Sequence, residues 1–151
     1  MISTLHNIYY TTFRSVFISW TEKNEMAELN SSLDTLRILD VPLKRELLTR
    51  AEIDSLERIF NERSPNPWNA VHALLPEYKV SFDGMIVDHL DRIWLKLTRR
   101  SEFQEWLILS NDGEPEKLVQ LPKEGILTHV SEHHLGFRAD SHLFALYEAI
   151  E

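Results

Sequence analysis

The sequence predicts a compact, mainly α-helical domain that occupies residues 1–151 as a single unit. Apolar residues recur at helical spacing in several segments, from which we expect about six helices. With only 4 Gly and 6 Pro, the chain favours long regular elements over a loop-rich fold. Hydrophobic residues make up 43% of the chain, enough for a core, and 151 residues is close to the commonest domain size.

The clearest helical pattern lies between Phe82 and Arg100, and we expect this segment to form the central helix. One face would carry Ile86, Leu90, Ile93 and Leu97, which are spaced by three or four residues. Acidic residues come early in the segment and basic residues come late, as the helix dipole prefers. The same spacing brings Asp88 and Arg92 together as an i, i+4 ion pair on the exposed side.

The remaining helices are predicted from shorter patterns. A capping box formed by Thr49 and Glu52 predicts a helix start, and Asn66 with Pro67 predicts another. A cap at Asp140 predicts a terminal helix with Leu143, Leu146, Tyr147 and Ile150 inside. Apolar spacing alone predicts helices in three further segments, Ile2–Trp20, Ser32–Leu39 and Pro42–Leu48.

Two segments also allow an interpretation as β-structure. Asp83-Gly84 between short apolar runs is typical of a hairpin turn, with a helix then starting near Asp88. Between residues 101 and 130, a capping box at Ser101 and Gln104 competes with short apolar runs that favour a small β-hairpin. Those runs are Trp106–Leu109, Leu118–Leu121 and Ile126–Val130.

Composition excludes several classes of protein. The chain has no cysteine, so it has no disulfides, thiolate nucleophile or cysteine zinc site. Apolar runs such as Trp106–Leu109 are far too short for a transmembrane helix, and the N-terminus lacks the features of a signal peptide. We therefore expect a cytoplasmic protein. The sequence contains no Gly-rich phosphate loop, and its 4 glycines do not assemble a dinucleotide fingerprint, so no cofactor is predicted.

Two polar clusters are candidates for metal chemistry. His129 and His133 would share a helix face at i, i+4, a spacing that can chelate zinc, with His134 beside them. This cluster is the basis of an alternative function, a metal-dependent hydrolase. A second cluster, which a charged solvent face explains more simply, consists of Asp83, Asp88, His89 and Asp91.

The net charge of −8 is concentrated toward the C-terminus. Residues 112–151 contain eight acidic residues against three basic ones, a net charge of −5. This charge disfavours direct binding to nucleic acid and suits a basic protein partner. Because no catalytic constellation is recognisable, we expect a non-catalytic binding module, such as an immunity protein or an inhibitor of a nuclease-type toxin. The predicted partner-binding residues are Asp112, Glu114, Glu116, Glu124, Glu132 and Asp140.

Overall fold

The protein is mainly β, which contradicts the predicted multi-helix domain. The computed structural model describes residues 7–11, 15–20, 23–63, 68–73, 75–99, 101–138 and 144–148. In these residues eleven strands form three antiparallel sheets, and strands account for 47% of the structure against 15% for helix. The description of the chain as α-helical is therefore wrong.

Each sheet is a meander whose strands follow one another in the sequence and in space. The first sheet contains β1 (Asn7–Thr11), β2 (Val16–Trp20), β3 (Glu25–Leu29) and β4 (Thr35–Asp40). The middle sheet contains β5 (Phe82–Val87), β6 (Ile93–Leu97), β7 (Gln104–Leu109) and β8 (Pro115–Leu121). The third sheet contains β9 (Ile126–Val130), β10 (His134–Arg138) and β11 (Phe144–Glu148).

The middle sheet is packed on both of its faces, which makes it the centre of the molecule. On one face, Ile93, Leu95 and Leu97 pack with Phe17 and Met26 of the first sheet. On the other face, the apolar side chains pack with the third sheet: Ile86, Trp94, Trp106 and Ile108 meet Leu127, Val130 and Phe137. Strands that are covered on both sides lack a polar face, so their sequence does not alternate clearly between apolar and polar residues.

The predicted central helix is therefore a β-hairpin. Ile86 faces the third sheet, whereas Ile93 and Leu97 face the first sheet. These three residues therefore do not lie on one common face, as the predicted helix required. Leu90 lies exposed in the turn between β5 and β6. The rival hairpin placed its turn at Asp83-Gly84, but these residues lie inside β5, at a bulge opposite Lys96.

Several shorter predicted helices are also strands or extended chain. Within Ile2–Trp20 the described residues form β1 and β2, and most of Ser32–Leu39 belongs to β4. Pro42–Leu48 is extended and pairs with the chain before β5 through Leu47 and Tyr78. The capping box proposed at Ser101 is wrong because β7 begins at Gln104. The predicted terminal helix is β11 where it is described, and its proposed cap, Asp140, lies outside the described residues.

The helices that form lie in the connection between the first and middle sheets. The capping box is confirmed: the Thr49 backbone N–H donates to Glu52 Oε2 at 2.9 Å, and the Glu52 N–H donates to Thr49 Oγ1 at 3.3 Å. It opens α1 (Arg50–Arg63), and the short helix predicted after Asn66 is α2 (Trp68–His72). Asn66 and Pro67 themselves lie outside the described residues. The β-hairpin alternative between Trp106 and Val130 is confirmed for β7 and β8, whereas its third run, Ile126–Val130, is β9 of the third sheet.

Candidate functional site

One end of the sheets carries an excess of acidic side chains, which the hairpin turns bring together. The turns at residues 88–92 and 110–114 lie side by side, because Ile93 after the one turn is paired with Leu109 before the other. The turn at residues 30–34 lies at the same end, since Arg37 just after it contacts Asn111 and Asp112. We call it the acidic end, and define it by five exposed acidic residues: Asp34, Asp91, Asp112, Glu114 and Glu116.

Two arginines at the acidic end are held by acidic side chains that are themselves largely buried. Arg37 Nε lies 2.6 Å from Glu28 Oε2, and Arg92 Nε lies 2.8 Å from Asp88 Oδ2. Because Glu28 and Asp88 neutralise these arginines, the arginines offset little of the charge on the exposed acidic residues. Lys117 of β8 is an exposed basic residue on the neighbouring strand.

Weaker contacts join the same arginines to two predicted partner-binding residues. Arg37 Nη1 lies 3.8 Å from Asp112 Oδ1, and Arg92 Nη1 lies 3.9 Å from Glu116 Oε2. Ion pairs of this length at an exposed surface contribute little to stability. The side chain of Asp112 remains 91% exposed. Both carboxylates are therefore accessible to a partner.

The turn geometry at the acidic end depends on local hydrogen bonds. The Gly113 backbone has φ +88°, and its N–H donates to Ser110 O at 3.0 Å, which closes the turn that holds Asp112. In the turn before β4, the backbone N–H groups of Ser32 and Asp34 both donate to Asn30 Oδ1 at 2.9 Å. These bonds hold the acidic side chains on short, well-defined turns.

A small cavity opens between the first and middle sheets at the acidic end. Its volume is about 260 Å³, and its lining includes Phe17, Glu28, Arg37, Asp91 and Asn111. Arg37 Nη2 donates a hydrogen bond to Asn111 Oδ1, which joins the two sheets at the cavity wall. The cavity has room for a side chain from a bound partner, with the carboxylate of Asp91 at its edge.

The structure groups the predicted partner-binding residues only in part. Asp112, Glu114 and Glu116 lie together on the β7–β8 hairpin. Glu132 lies in the turn between β9 and β10. The length of β9 separates this turn from Gly125. Glu124 lies at the opposite end, in the turn whose Lys123 and Gly125 carbonyls accept hydrogen bonds from Gln104 Nε2. Asp140 lies outside the described residues.

The histidines of the alternative metal site do not lie on a helix. His129 is exposed in β9 opposite Gly136, and His133 and His134 belong to the tight turn that enters β10. His133 Nε2 lies 3.8 Å from Glu132 Oε2, with both side chains largely exposed. Among the described residues, no three His, Asp or Glu side chains converge in an arrangement that could hold a metal ion.

The second polar cluster is divided between structure and surface. Asp88 is fully buried and accepts hydrogen bonds from Trp94, Arg92 and the Leu90 backbone. Asp83 lies at the other end of β5, where its Oδ1 is 3.7 Å from Lys96 Nζ. The cluster therefore does not form one site, and only Asp91 contributes to the acidic end.

Sequence reasoning did not identify two of the turns at the acidic end, those at residues 30–34 and 88–92. Asp91 lies in the β5–β6 turn of the sheet that holds Asp112, and the pairing of β6 with β7 brings these two turns together. Asp34 lies in the first sheet, and its turn joins them through the packing of the first sheet on the middle sheet. The one available signal was that each acidic residue stands beside a turn-forming residue. That signal became informative only once the segments were known to be strands.

The opposite end has a mixed charge distribution. A cavity of about 650 Å³ lies there, and its charged lining residues are Asp83, Lys96, Arg99, Glu102 and Lys123. A neighbouring cavity of about 440 Å³ includes the ion pair of Lys79 Nζ and Glu52 Oε1 at 3.0 Å. Positive and negative groups alternate at this end, so it does not match the single sign of charge at the acidic end.

No helix among the described residues is long and apolar enough to cross a membrane. Comparison with known proteins adds no functional assignment: no protein-family model matches the chain, and no curated protein has a significantly similar sequence.

Proposed function

We propose that this protein is a non-catalytic binding module that uses its acidic end to bind a basic protein. The observation that carries the proposal is the convergence of Asp34, Asp91, Asp112, Glu114 and Glu116 on neighbouring turns. Their charge is not cancelled locally, because Glu28 and Asp88 already pair with the two arginines of this end. A patch of one sign of charge attracts an oppositely charged partner and speeds association.

Shape supports the same proposal. Short turns present carboxylates to solvent, and the cavity beside Asp91 is large enough to receive one side chain of a partner. A lysine or arginine inserted there would place its charge near Asp91 and its aliphatic part near Phe17 and Val87. Anchor side chains that fill a pocket dominate the energetics of many interfaces.

The proposal has a narrower form, in which the partner is a basic enzyme such as a nuclease-type toxin and this protein acts as its inhibitor or immunity protein in the cytoplasm. Enzymes that grip nucleic acid carry a positively charged cleft, and the acidic end is complementary to such a surface. The same charge repels phosphate groups, so we propose no direct contact with nucleic acid.

The test uses the purified full chain and purified basic proteins from its host, starting with the product of the neighbouring gene. Binding is measured by biolayer interferometry from about 0.05 to 0.3 M salt, over which screening should weaken an electrostatically steered complex. We expect one protein to bind with an association rate that falls as salt rises. Binding that is indifferent to salt, or the absence of binding to every basic protein tested, would contradict the proposal.

A further inference from the structure

The first and middle sheets are bounded by the edge strands β4 and β8, and within the described residues neither strand pairs with a further strand. An unpaired edge presents backbone N–H and C=O groups that can bond to an added strand. Two residues of β8, Pro115 and Lys117, discourage such pairing, whereas β4 contains neither proline nor lysine. Of these two edges, β4 is therefore the one suited to accept another strand.

The hydrogen bond at the end of β4 shows which of its backbone groups are unpaired. In an antiparallel pair, residues whose N–H and C=O point to the neighbouring strand alternate with residues whose groups point away. The Val41 N–H donates to Asn24 O at 2.7 Å, so alternation along the register makes Leu39 the next residue of β4 that bonds to β3. The N–H and C=O groups of Ile38 and Asp40 therefore point away from β3, toward the free edge.

The open part of this surface is the edge itself rather than the face of the sheet. Ala27, which lies opposite Ile38 on β3, is only 2% exposed, so the face behind the edge is already covered. Ile38 itself is 64% exposed, and Leu36 is 56% exposed. The register shift of β4 lies before Arg37, so the edge is regular from Arg37 to Asp40. A strand added there would place an apolar side chain beside Ile38.

Two carboxylates at the same edge lack a positively charged partner. Glu25 and Asp40 lie directly opposite each other, on the side of the sheet away from the core residues Met26 and Leu39. Like charges in directly opposite positions destabilise a sheet. In the part of the chain that the structure describes, no basic side chain forms an ion pair with either carboxylate. A lysine or arginine on an added strand would neutralise this repulsion.

We propose that β4 binds an extended segment of a partner protein as an added strand, with an apolar residue beside Ile38 and a lysine or arginine beside Asp40. Main-chain hydrogen bonds to these two residues would supply affinity, and the alternate side chains would supply specificity. A second copy of this chain is a poorer occupant, because each β4 edge brings two unpaired carboxylates and no free cation to the other. The inference does not rest on the proposed function, since neither Ile38 nor Asp40 belongs to the acidic end.

The test measures amide hydrogen exchange by NMR on the full chain, with and without a synthetic peptide. The peptide alternates threonine with an apolar or basic residue, so that one of its faces carries a valine and a lysine two positions apart. In the free chain, the N–H groups of Ile38 and Asp40 should exchange faster than that of Leu39. Excess peptide should slow exchange at Ile38 and Asp40. A peptide with glutamate in place of the lysine should bind about fivefold more weakly.

Variants of the protein and of the peptide test the contact separately. Asp40→Lys should weaken the lysine peptide and favour the glutamate peptide. The matched control is Glu148→Lys, which makes the same charge change at an exposed residue of another edge strand, β11, and should leave both affinities unchanged. Methylating the peptide nitrogens one at a time should abolish binding only at alternate positions, because only every second N–H of an added strand points to β4.

Three results would overturn the proposal. The first is unchanged exchange at Ile38 and Asp40 in excess peptide, a measurement that needs no variant to fold. The second is an equal effect of methylation at every peptide nitrogen, which indicates attraction by charge without strand pairing. The third is protection of Ile38 and Asp40 that rises with protein concentration in the absence of peptide, because the occupant would then be a second copy.

Discussion

The carboxylate of Asp88 accepts a hydrogen bond from the indole N–H of Trp94, with Nε1 and Oδ2 2.9 Å apart. The same carboxylate accepts from Arg92 Nε at 2.8 Å and from the backbone N–H groups of Leu90 and Arg92 at 2.9 and 3.0 Å. Burial alone would raise the pKa of Asp88, but the bonds from Trp94, Arg92 and Leu90 outweigh burial and lower the pKa. One side chain thus fixes the turn between β5 and β6.

We predict that Asp88→Ala lowers the free energy of unfolding by about 3 kcal/mol, because it leaves the buried indole N–H and the Arg92 side chain without their acceptor. Urea denaturation followed by tryptophan fluorescence measures the change. Asp112→Ala is the control, since its carboxylate is almost fully exposed, and it should change stability by less than about 0.5 kcal/mol. Equal losses of unfolding free energy in the two variants would show that the hydrogen bonds of Asp88 do not stabilise the protein.

We predict that the ionised form of Glu52 stabilises the protein and that this stabilisation is lost in acid. Backbone and side-chain hydrogen bonds from Thr49, followed by the bond from Lys79, lower the pKa of Glu52 from 4.5 to about 2. The unfolded chain binds the proton at higher pH than the folded chain, so stability falls as pH drops from 4.5 toward about 2. Carboxyl NMR of the folded protein measures the pKa directly.

Two variants check this assignment. Glu52→Gln keeps an acceptor for the Thr49 N–H but does not titrate, so this part of the pH dependence should disappear. Thr49→Ala removes the hydroxyl donor, so the pKa of Glu52 should rise part of the way toward 4.5. A Glu52 pKa near 4.5 in the unmodified protein would contradict the prediction.

We predict that Gln104→Ala costs about 2 kcal/mol of unfolding free energy. The buried Gln104 amide donates to Lys123 O at 3.0 Å and to Gly125 O at 2.7 Å, and so attaches the turn between the middle and third sheets to β7. Gln120→Ala is the matched control, because Gln120 is exposed on β8. Denaturation curves should separate the two variants, and similar curves would show that the Gln104 bonds add nothing to stability.

For the partner found in the binding test, we predict that removing three charges from the acidic end slows association about tenfold and weakens its salt dependence. The variant combines Asp112→Asn, Glu114→Gln and Glu116→Gln. The control removes three charges elsewhere, with Glu62→Gln, Glu102→Gln and Glu124→Gln, and so has the same net charge. If both variants slow association equally, net charge rather than the acidic end attracts the partner.

The sequence predicted the start of α1 because its signal is local. The bonds of the capping box join Thr49 and Glu52 directly, so no distant segment is needed to form them. The helix predicted between Phe82 and Arg100 failed for the opposite reason. Its apolar residues face two different sheets, because both faces of these strands are covered. The apolar residues of the two faces, read together along the sequence, happen to show the three- and four-residue spacing of a helix.

The pairing of Asp88 with Arg92 was predicted on the exposed side of a helix; the pair forms, but across a turn and with the Asp88 side chain buried. Residues four apart meet on a helix, and they also meet across a tight turn, so spacing alone could not distinguish the two. The sequence did not indicate that Trp94 would share the carboxylate. In the candidate site, Asp112, Glu114 and Glu116 could be grouped because they are neighbours in sequence. Asp91 joins them through the pairing of β6 with β7, and Asp34 through sheet packing.

The order of strands in the three meanders has a consequence for how the chain reaches its native state. Every sheet pairs segments that are adjacent in the sequence, so each pairing closes only a short loop. Proteins dominated by such nearby pairings fold quickly for their size. Synthesis from the ribosome would release each sheet as a finished unit, and the middle one would remain exposed on one side until the last strands emerge.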